Sequence, residues 1–176
     1  RTRIGSPYVL DSMAKLSQRF ERVAGFEANG GFLLGSTLEN EGRELAALPT
    51  RDALLPALTL MVIAAQHGVS LSQLIADLPA RYTASDRLKD FATEKSRALL
   101  AKWQASPELM QQALSLPADI STINTTDGLR ATLDNGDIVH LRPSGNAPEL
   151  RCYSESASQS AASALVKQSL AALAKL

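Results

Sequence analysis

ISTINTTDGLRATLDNGDIVHLRPSGNAPELRCY, residues 120–153, is the stretch that decides the fold of the second half of this chain. It contains four short runs that are apolar or that alternate between apolar and polar residues, as strands do. Asp127-Gly128 and Asn135-Gly136 separate the first three runs, and both dipeptides are strong signals for tight hairpin turns. The stretch therefore predicts an antiparallel sheet.

Helical patterns flank the predicted sheet on both sides. Residues 88–103 and 107–116 predict two helices before it, and residues 156–176 predict an alanine-rich helix after it. Helices that cover an antiparallel sheet give an α+β layer arrangement.

A domain boundary is expected after Leu78. Leu78-Pro79 and the polar segment 81–87 are typical of a linker between two folded parts. The predicted domains are therefore residues 1–78 and residues 79–176.

The first domain shows the mixed pattern of an α/β unit. Ser6-Pro7 is typical of a helix start, with Ser6 as the N-cap, and apolar residues recur at helical spacing as far as Val23. A short apolar strand is expected at residues 32–34. A long apolar helix then follows, and we expect Pro56 to kink it.

The overall composition excludes several classes of partner. Eighteen basic and eighteen acidic side chains give a formal net charge of zero, so no broad attraction to nucleic acid or to anionic lipid is expected. The longest apolar run, residues 53–65, is too short to span a membrane. Cys152 is the single cysteine, which excludes an internal disulfide and fits a reducing, cytoplasmic setting.

The segment RPSGNAPELR, residues 142–151, is the strongest candidate for a binding site. Arg142 presents a planar fork of donors that matches phosphate oxygens, and Arg151 supplies a second guanidinium. Ser144 adds a hydroxyl donor, and Gly145 favours a turn that exposes backbone N–H groups to an anion. Taken alone, the segment leaves two interpretations open, a phosphate-binding loop or a plain hairpin loop with an incidental arginine.

A glycine-rich loop, GFEANGG at residues 25–31, carries one acid, Glu27, and one amide, Asn29. A carboxylate and an amide on an open loop are suited to holding adjacent sugar hydroxyls. A helix-to-strand turn with exposed polar tips is the alternative. Combined with a phosphate loop later in the chain, the pair describes a sugar phosphate as the ligand.

Five segments carry a resemblance to a known family, in the same order along essentially the whole chain: TRIGS at 2–6, GFEANGG at 25–31, TRD at 50–52, DG at 127–128 and RPSGNAPELR at 142–151. Together they resemble the second half of an α-D-phosphohexomutase, the family of phosphomannomutases and phosphoglucomutases. The sugar loop, with Asn29 and Gly31, looks most similar to that of bacterial phosphomannomutases. The resemblance implies the later part of an α/β third domain, followed by a complete α+β fourth domain with a TBP-like antiparallel sheet.

The resemblance also implies sugar-binding residues in the first domain. Glu27 falls where the family places its sugar-binding glutamate, and Asn29 replaces the usual serine of that loop. Gly31 stands where many members have histidine. Arg3 matches a basic residue near the active cleft, and Ser6 falls where some members place a histidine.

The phosphate-binding residues are implied in the same way. Arg142, Ser144, Gly145 and Asn146 match the family's phosphate loop, and Arg151 follows on the next strand. Asn146 stands in place of the usual threonine, and the acidic residue that normally follows it is lost.

The resemblance implies interconversion of hexose 6-phosphate and hexose 1-phosphate through a bisphosphorylated intermediate, with mannose favoured and glucose as the other candidate. In the family, a phosphoserine of the first domain transfers the phosphoryl group, and Mg²⁺ is held by an aspartate-rich loop of the second domain. Neither motif occurs in this sequence. We therefore expect this chain to hold the sugar and the non-reacting phosphate, to lack catalytic and metal-binding residues, and to be inactive alone.

One alternative stays open, a stand-alone sugar-phosphate-binding or regulatory module without catalysis. The abrupt start at Arg1 favours a piece of a longer protein. Such a piece is expected to self-associate through apolar surface that the remainder would cover.

Overall fold

The computed structural model describes residues 1–27 and 30–176. It divides into two compact units, Arg1–Leu78 and Pro79–Leu176. In the described ranges, no helix is long and apolar enough to cross a membrane.

The first unit combines helices with short antiparallel strands. Its elements in chain order are α1 (Ser6–Leu16), β1 (Ala24–Phe26), β2 (Phe32–Leu34), β3 (Leu38–Asn40), β4 (Arg43–Leu45), β5 (Leu48–Asp52), α2 (Leu54–His67) and α3 (Leu71–Ala76). One sheet has the strand order β1-β2-β5, and β3 pairs with β4 in a separate hairpin.

Helix α1 packs against β1 and β2 through a small apolar cluster. Val9 and Met13 of the helix meet Leu33 of β2 in this cluster. The contact requires glycine at position 25, because a Cβ there would lie 2.4 Å from Cγ1 of Val9. The expected strand at residues 32–34 is confirmed.

The predicted length of α1 is wrong, because the helix ends at Leu16. Val23 still reaches the apolar cluster, but it does so from an extended segment, where its carbonyl accepts a hydrogen bond from the N–H of Gly35 (2.9 Å). Phe20, which the helical spacing would have placed on the buried face, is 53% exposed.

Pro56 does not require the predicted kink in the second helix. Helix α2 begins at Leu54, so Pro56 lies in its first turn, where a backbone N–H has no intrahelical partner in any case. Asp52 caps this end, because its Oδ1 accepts from the N–H groups of Leu54 (2.8 Å) and Leu55 (3.2 Å).

The second unit is an antiparallel sheet covered by helices on one face. Its elements in chain order are β6 (Tyr82–Leu88), α4 (Thr93–Ala105), α5 (Pro107–Leu114), β7 (Ile120–Asn124), β8 (Leu129–Leu133), β9 (Ile138–Pro143), β10 (Leu150–Ser156) and α6 (Gln159–Leu173). The strand order is β6-β10-β9-β8-β7, and every neighbouring pair is antiparallel. The α+β arrangement predicted from the hairpin pattern is confirmed.

Alternate residues of the sheet build the core of the second unit. Leu129, Leu141 and Cys152 face the helices and pack into one cluster with Trp103 of α4 and Leu165 of α6. This burial raises the pKa of the Cys152 thiol to about 12, so the thiol stays protonated at neutral pH. Cys152 therefore behaves as a small apolar core residue.

The linker predicted at residues 81–87 is wrong, because these residues form most of strand β6. This strand pairs with β10 along its whole length, from Tyr82 opposite Ser156 to Leu88 opposite Leu150. It lies at the edge of the sheet, where only Ala84 and Leu88 pack against the core and the other five residues are exposed. A strand with so many exposed polar residues resembles a linker in sequence.

Two turn glycines of the sheet differ in one respect. Gly128 and Gly136 both adopt left-handed backbone, with φ of 81° and 83°. A Cβ on Gly128 would lie 2.3 Å from the carbonyl oxygen of Leu141, whereas a Cβ on Gly136 would meet nothing within 4 Å. The first hairpin turn is therefore pressed against β9, and the second is not.

We expect Gly128→Ala to destabilise the second unit more than Gly136→Ala. Both substitutions carry the left-handed cost of about 1–2 kcal/mol, and the clash at Gly128 adds about 1–3 kcal/mol. Urea unfolding followed by the fluorescence of Trp103, the single tryptophan and 2% exposed in the core of this unit, measures both. Equal losses would show that the close approach to β9 does not constrain the turn.

Candidate functional site

The sugar loop of the first unit begins directly after β1. The N–H of Glu27 donates to the carbonyl of Gly31 (2.8 Å), and the N–H of Gly30 donates to the carbonyl of Glu27 (3.0 Å). These bonds bring Glu27 and Gly31 together at the end of β1. Asn29, a predicted sugar ligand, lies outside the described residues.

The Glu27 side chain is buried and has two polar neighbours. It is 7% exposed, and its Oε2 accepts a hydrogen bond from Oγ of Ser6 (3.0 Å). Nε of Arg51 lies 3.8 Å from the same oxygen.

The prediction that Ser6 caps α1 is wrong, although its placement near the sugar loop is not. The helix begins at Ser6 itself, with Gly5 in the N-cap position, and the Ser6 hydroxyl donates to Glu27 instead. The Ser6 hydroxyl therefore bonds a carboxylate that is 21 residues away in the chain, rather than a backbone N–H group of its own helix.

Two arginines of the first unit, Arg51 and Arg3, differ from what the sequence predicted for them. Arg51, to which the sequence assigned no role, lies in β5 and reaches Glu27 through a pairing of strands that its local sequence does not reveal. The guanidinium of Arg3 lies 5.8 Å from the ring centroid of Tyr8, and within the described part of the chain it makes no hydrogen bond or ion pair with Glu27.

The phosphate loop connects β9 to β10 at one end of the larger sheet. The N–H of Ser144 donates to the carbonyl of Glu149 (2.8 Å), which closes the loop. Arg142 of β9 lies directly opposite Arg151 of β10. The structure therefore brings both predicted arginines to the same face and the same end of the sheet.

Within the loop, Ser144 and Asn146 contact one another. Ser144 is 3% exposed, and its Oγ donates to Oδ1 of Asn146 (3.0 Å). This bond leaves the amide nitrogen of the exposed Asn146 as a donor for an anion.

Gly145 contributes in a different way from the one predicted. Its φ is not in the left-handed region, so the turn does not need glycine for its conformation. A Cβ at this position would meet nothing within 4 Å. Glycine here keeps the backbone open to a ligand.

Arg142, at the end of β9 where the loop begins, is the side chain best positioned to bind an anion. It is 14% exposed, and its NH1 lies 3.6 Å from Oδ2 of Asp127, which is 18% exposed. Nε of Arg142 is buried and has no hydrogen-bond partner in the part of the chain that the structure describes. A buried donor without a partner costs about 1–3 kcal/mol, and an anion at this position would remove that cost.

Asp127 has a neighbour that its sequence does not predict, since Asp127-Gly128 indicates a hairpin turn and a match to the family but no contact with Arg142. Its backbone carbonyl accepts a hydrogen bond from Nε2 of His140 on β9. Burial lowers the pKa of His140, so the ring is neutral at neutral pH with its proton on Nε2. The turn thus holds the carboxylate of Asp127 beside Arg142.

The segment Asp134-Asn135-Gly136-Asp137 is a hairpin turn, as predicted. The N–H of Leu133 donates to the carbonyl of Asp137 (2.8 Å), and the N–H of Gly136 donates to the carbonyl of Leu133 (2.9 Å). Over residues 1–27 and 30–176, no group of three or more His, Cys, Asp or Glu side chains is placed to hold a metal ion.

Two family models match the chain. The one described as "Phosphoglucomutase/phosphomannomutase, alpha/beta/alpha domain III" matches residues 1–82, and the one described as "Phosphoglucomutase/phosphomannomutase, C-terminal domain" matches residues 79–172. The chain belongs to the phosphoglucomutase/phosphomannomutase family. The resemblance seen in its motifs is therefore confirmed.

Curated relatives agree with this membership. The chain is 50% identical to a phosphomannomutase of Salmonella muenchen over 168 residues, which cover 95% of this chain and 35% of the relative. It is 42% identical to a phosphomannomutase of Sinorhizobium fredii over 174 residues, which cover 98% of this chain and 37% of the relative. The chain thus spans about a third of the length of these relatives.

Solved structures share the fold. An N-acetylphosphoglucosamine mutase of Aspergillus fumigatus superposes with a TM-score of 0.57 at 18% identity, over 98% of this chain and 36% of that one. The predicted architecture, third-domain elements followed by an α+β fourth domain, is confirmed.

Proposed function

We propose that this chain supplies the sugar-binding and phosphate-binding parts of a phosphohexomutase, which interconverts hexose 6-phosphate and hexose 1-phosphate through a bisphosphorylated intermediate. The observation that carries the proposal is the buried, unpartnered Nε of Arg142 in a loop that also presents Arg151 and Asn146. The names of the relatives support a mutase, and the family membership covers both units.

Ligands of the solved neighbours support the class of substrate. One structure of the Aspergillus fumigatus mutase holds GlcNAc-6P and magnesium, and another holds glucose 1,6-bisphosphate. By analogy, we propose a hexose phosphate as the ligand of this chain. We favour mannose over glucose, because the relatives that are 50% and 42% identical are named phosphomannomutases.

The proposal assigns binding, and not bond-making, to the described residues. Glu27, with Ser6 and Arg51 behind it, accepts hydrogen bonds from sugar hydroxyls, and the Arg142 loop holds the phosphate that does not react. Fixing a substrate in reactive geometry supplies much of the rate of phosphoryl transfer. Mg²⁺ does not fit the described residues, so the proposal places its ligands, and the reacting serine, elsewhere in the protein.

The predicted cytoplasmic location is retained in the proposal, in keeping with the free, buried Cys152. Arg3, Asn29 and Gly31 stay predicted neighbours of the sugar.

Arg142→Ala is expected to weaken binding of inorganic phosphate to the chain by about tenfold or more, since a hydrogen bond to a charged group contributes roughly 1.5–3 kcal/mol. Isothermal titration calorimetry measures the dissociation constant. Arg97→Ala, which removes an exposed arginine from α4, is the matched control and should bind as the unsubstituted chain does. Unchanged affinity in Arg142→Ala would refute the assignment of the loop.

Glu27→Gln is expected to raise KM for mannose 1-phosphate about tenfold in a coupled assay of the complete gene product, because an amide oxygen accepts more weakly from sugar hydroxyls than a carboxylate does. Glu21→Gln, at an exposed position of the same unit, is the control. The same assay with glucose 1-phosphate tests the sugar preference. Turnover by the 176-residue chain alone would contradict the proposed division of labour.

The 176-residue chain is expected to self-associate through α2. Leu54, Leu58, Met61 and Val62 of this helix are 73%, 58%, 58% and 54% exposed, which makes a continuous apolar surface. Light scattering over a concentration series should show a rising mean mass, and Leu58→Ser with Met61→Ser should lower it. A constant monomer mass in the unsubstituted chain would argue against self-association.

A further inference from the structure

The edge strand β6 brings a third arginine to the phosphate loop. Arg87 of β6 lies directly opposite Arg151 of β10, which in turn lies opposite Arg142 of β9. Residues that lie opposite one another on antiparallel strands project from the same face of a sheet. The three side chains therefore form a row on the face away from the helices, which we call the arginine row.

Carboxylates neutralise only the two ends of the arginine row. Asp127 lies beside Arg142, and Oε1 of Glu149 lies 3.5 Å from Nε of Arg87. In the described ranges, no carboxylate lies within ionic distance of Arg151, the central member. Like charges placed directly opposite each other destabilise a sheet. An anion above the centre of the row would remove this repulsion.

The dimensions of a sheet allow one anion to contact all three side chains. Neighbouring strands lie about 4.8 Å apart, so the backbones that carry Arg87 and Arg142 are roughly 10 Å apart, with Arg151 between them. Arginine side chains leaning inward from both sides can span that distance around a phosphate group.

Arg87 keeps donors for such a ligand. Its side chain is 49% exposed, and the 3.5 Å contact with Glu149 is longer than the roughly 2.7–2.9 Å of a charge-assisted hydrogen bond. Glu149 also belongs to the phosphate loop, where its carbonyl accepts from the N–H of Ser144. The guanidinium of Arg87 is therefore held beside the loop without being saturated by it.

We propose that Arg87 is a third phosphate-binding arginine, which contacts the phosphate of the hexose phosphate from the side opposite Arg142. Glu149 holds its guanidinium in place until the phosphate binds. The inference rests on the proposed function, since it concerns the same phosphate.

The test compares two partly exposed arginines of equal charge in the second unit. Arg87→Ala should weaken binding of inorganic phosphate and of mannose 1-phosphate to the chain about fivefold by calorimetry. Arg81→Ala is the control, because Arg81 is also partly exposed and pairs with a single carboxylate, Glu155, at 3.8 Å, while its NH2 donates to the carbonyl of Gly136 (2.9 Å) in a hairpin turn away from the phosphate loop. Its affinity should change less than about twofold. Equal losses in both variants would mean that only general electrostatic attraction is lost, and would overturn the inference.

A second variant separates contact with phosphate from support of the loop. If Arg87 binds phosphate, Glu149→Gln removes a competing anion, and the affinity for inorganic phosphate should stay the same or increase. If Arg87 only anchors the loop through Glu149, Glu149→Gln should lose as much affinity as Arg87→Ala does, which would also overturn the inference. Unfolding followed by Trp103 fluorescence checks that each variant is folded.

Arg142→Ala distinguishes failure of this inference from failure of the proposed function. No binding of either probe by the unsubstituted chain would refute both. Binding that Arg142→Ala weakens, and that Arg87→Ala and Arg81→Ala change equally, would refute the role of Arg87 alone.

Discussion

The pairing of β10 with both of its neighbours is the constraint on which the second unit depends. Leu150 and Cys152 of this strand are fully buried against the helices, while Arg151 and Tyr153, which alternate with them, face the other way. A shift of one residue in register would exchange the two sets. The apolar core therefore fixes which residues reach the candidate site, and the position of Arg151 beside Arg142 follows from packing on the opposite face of the sheet.

Burying charged groups on this face of the sheet costs desolvation free energy, which the contacts around Arg142 partly offset. Arg142 and Asp127 are both largely buried, and a buried ion pair is weak evidence for stability, because desolvation offsets the attraction. In this protein the ion pair fixes the position of the Arg142 guanidinium. The hydrogen bond from His140 and the close approach of Gly128 to β9 hold the turn, and with it the carboxylate of Asp127, at one side of the guanidinium.

The features that the sequence predicted correctly depend on local chemistry. Asp-Gly and Asn-Gly turns, alternating strands and the loop after Arg142 each carry their signal within a few residues. The features it missed depend on distant partners. Strand β6 becomes a strand by pairing with β10, and the Ser6 hydroxyl bonds Glu27 rather than its own helix. Arg51 and Arg87 enter the candidate sites only through strand pairing, which no local pattern encodes.

In each candidate site a charged side chain is held in place by a group of opposite charge. Glu27 is held by a hydroxyl and a cation that both contact Oε2, and Arg142 is held by a carboxylate near NH1. For Arg142, the described contacts leave Nε without a partner. A ligand that binds such a group does not first have to order the side chain, which reduces the entropic cost of binding. Each unit therefore presents a charged group that is already positioned, which is the property that the proposed role in binding a sugar phosphate requires.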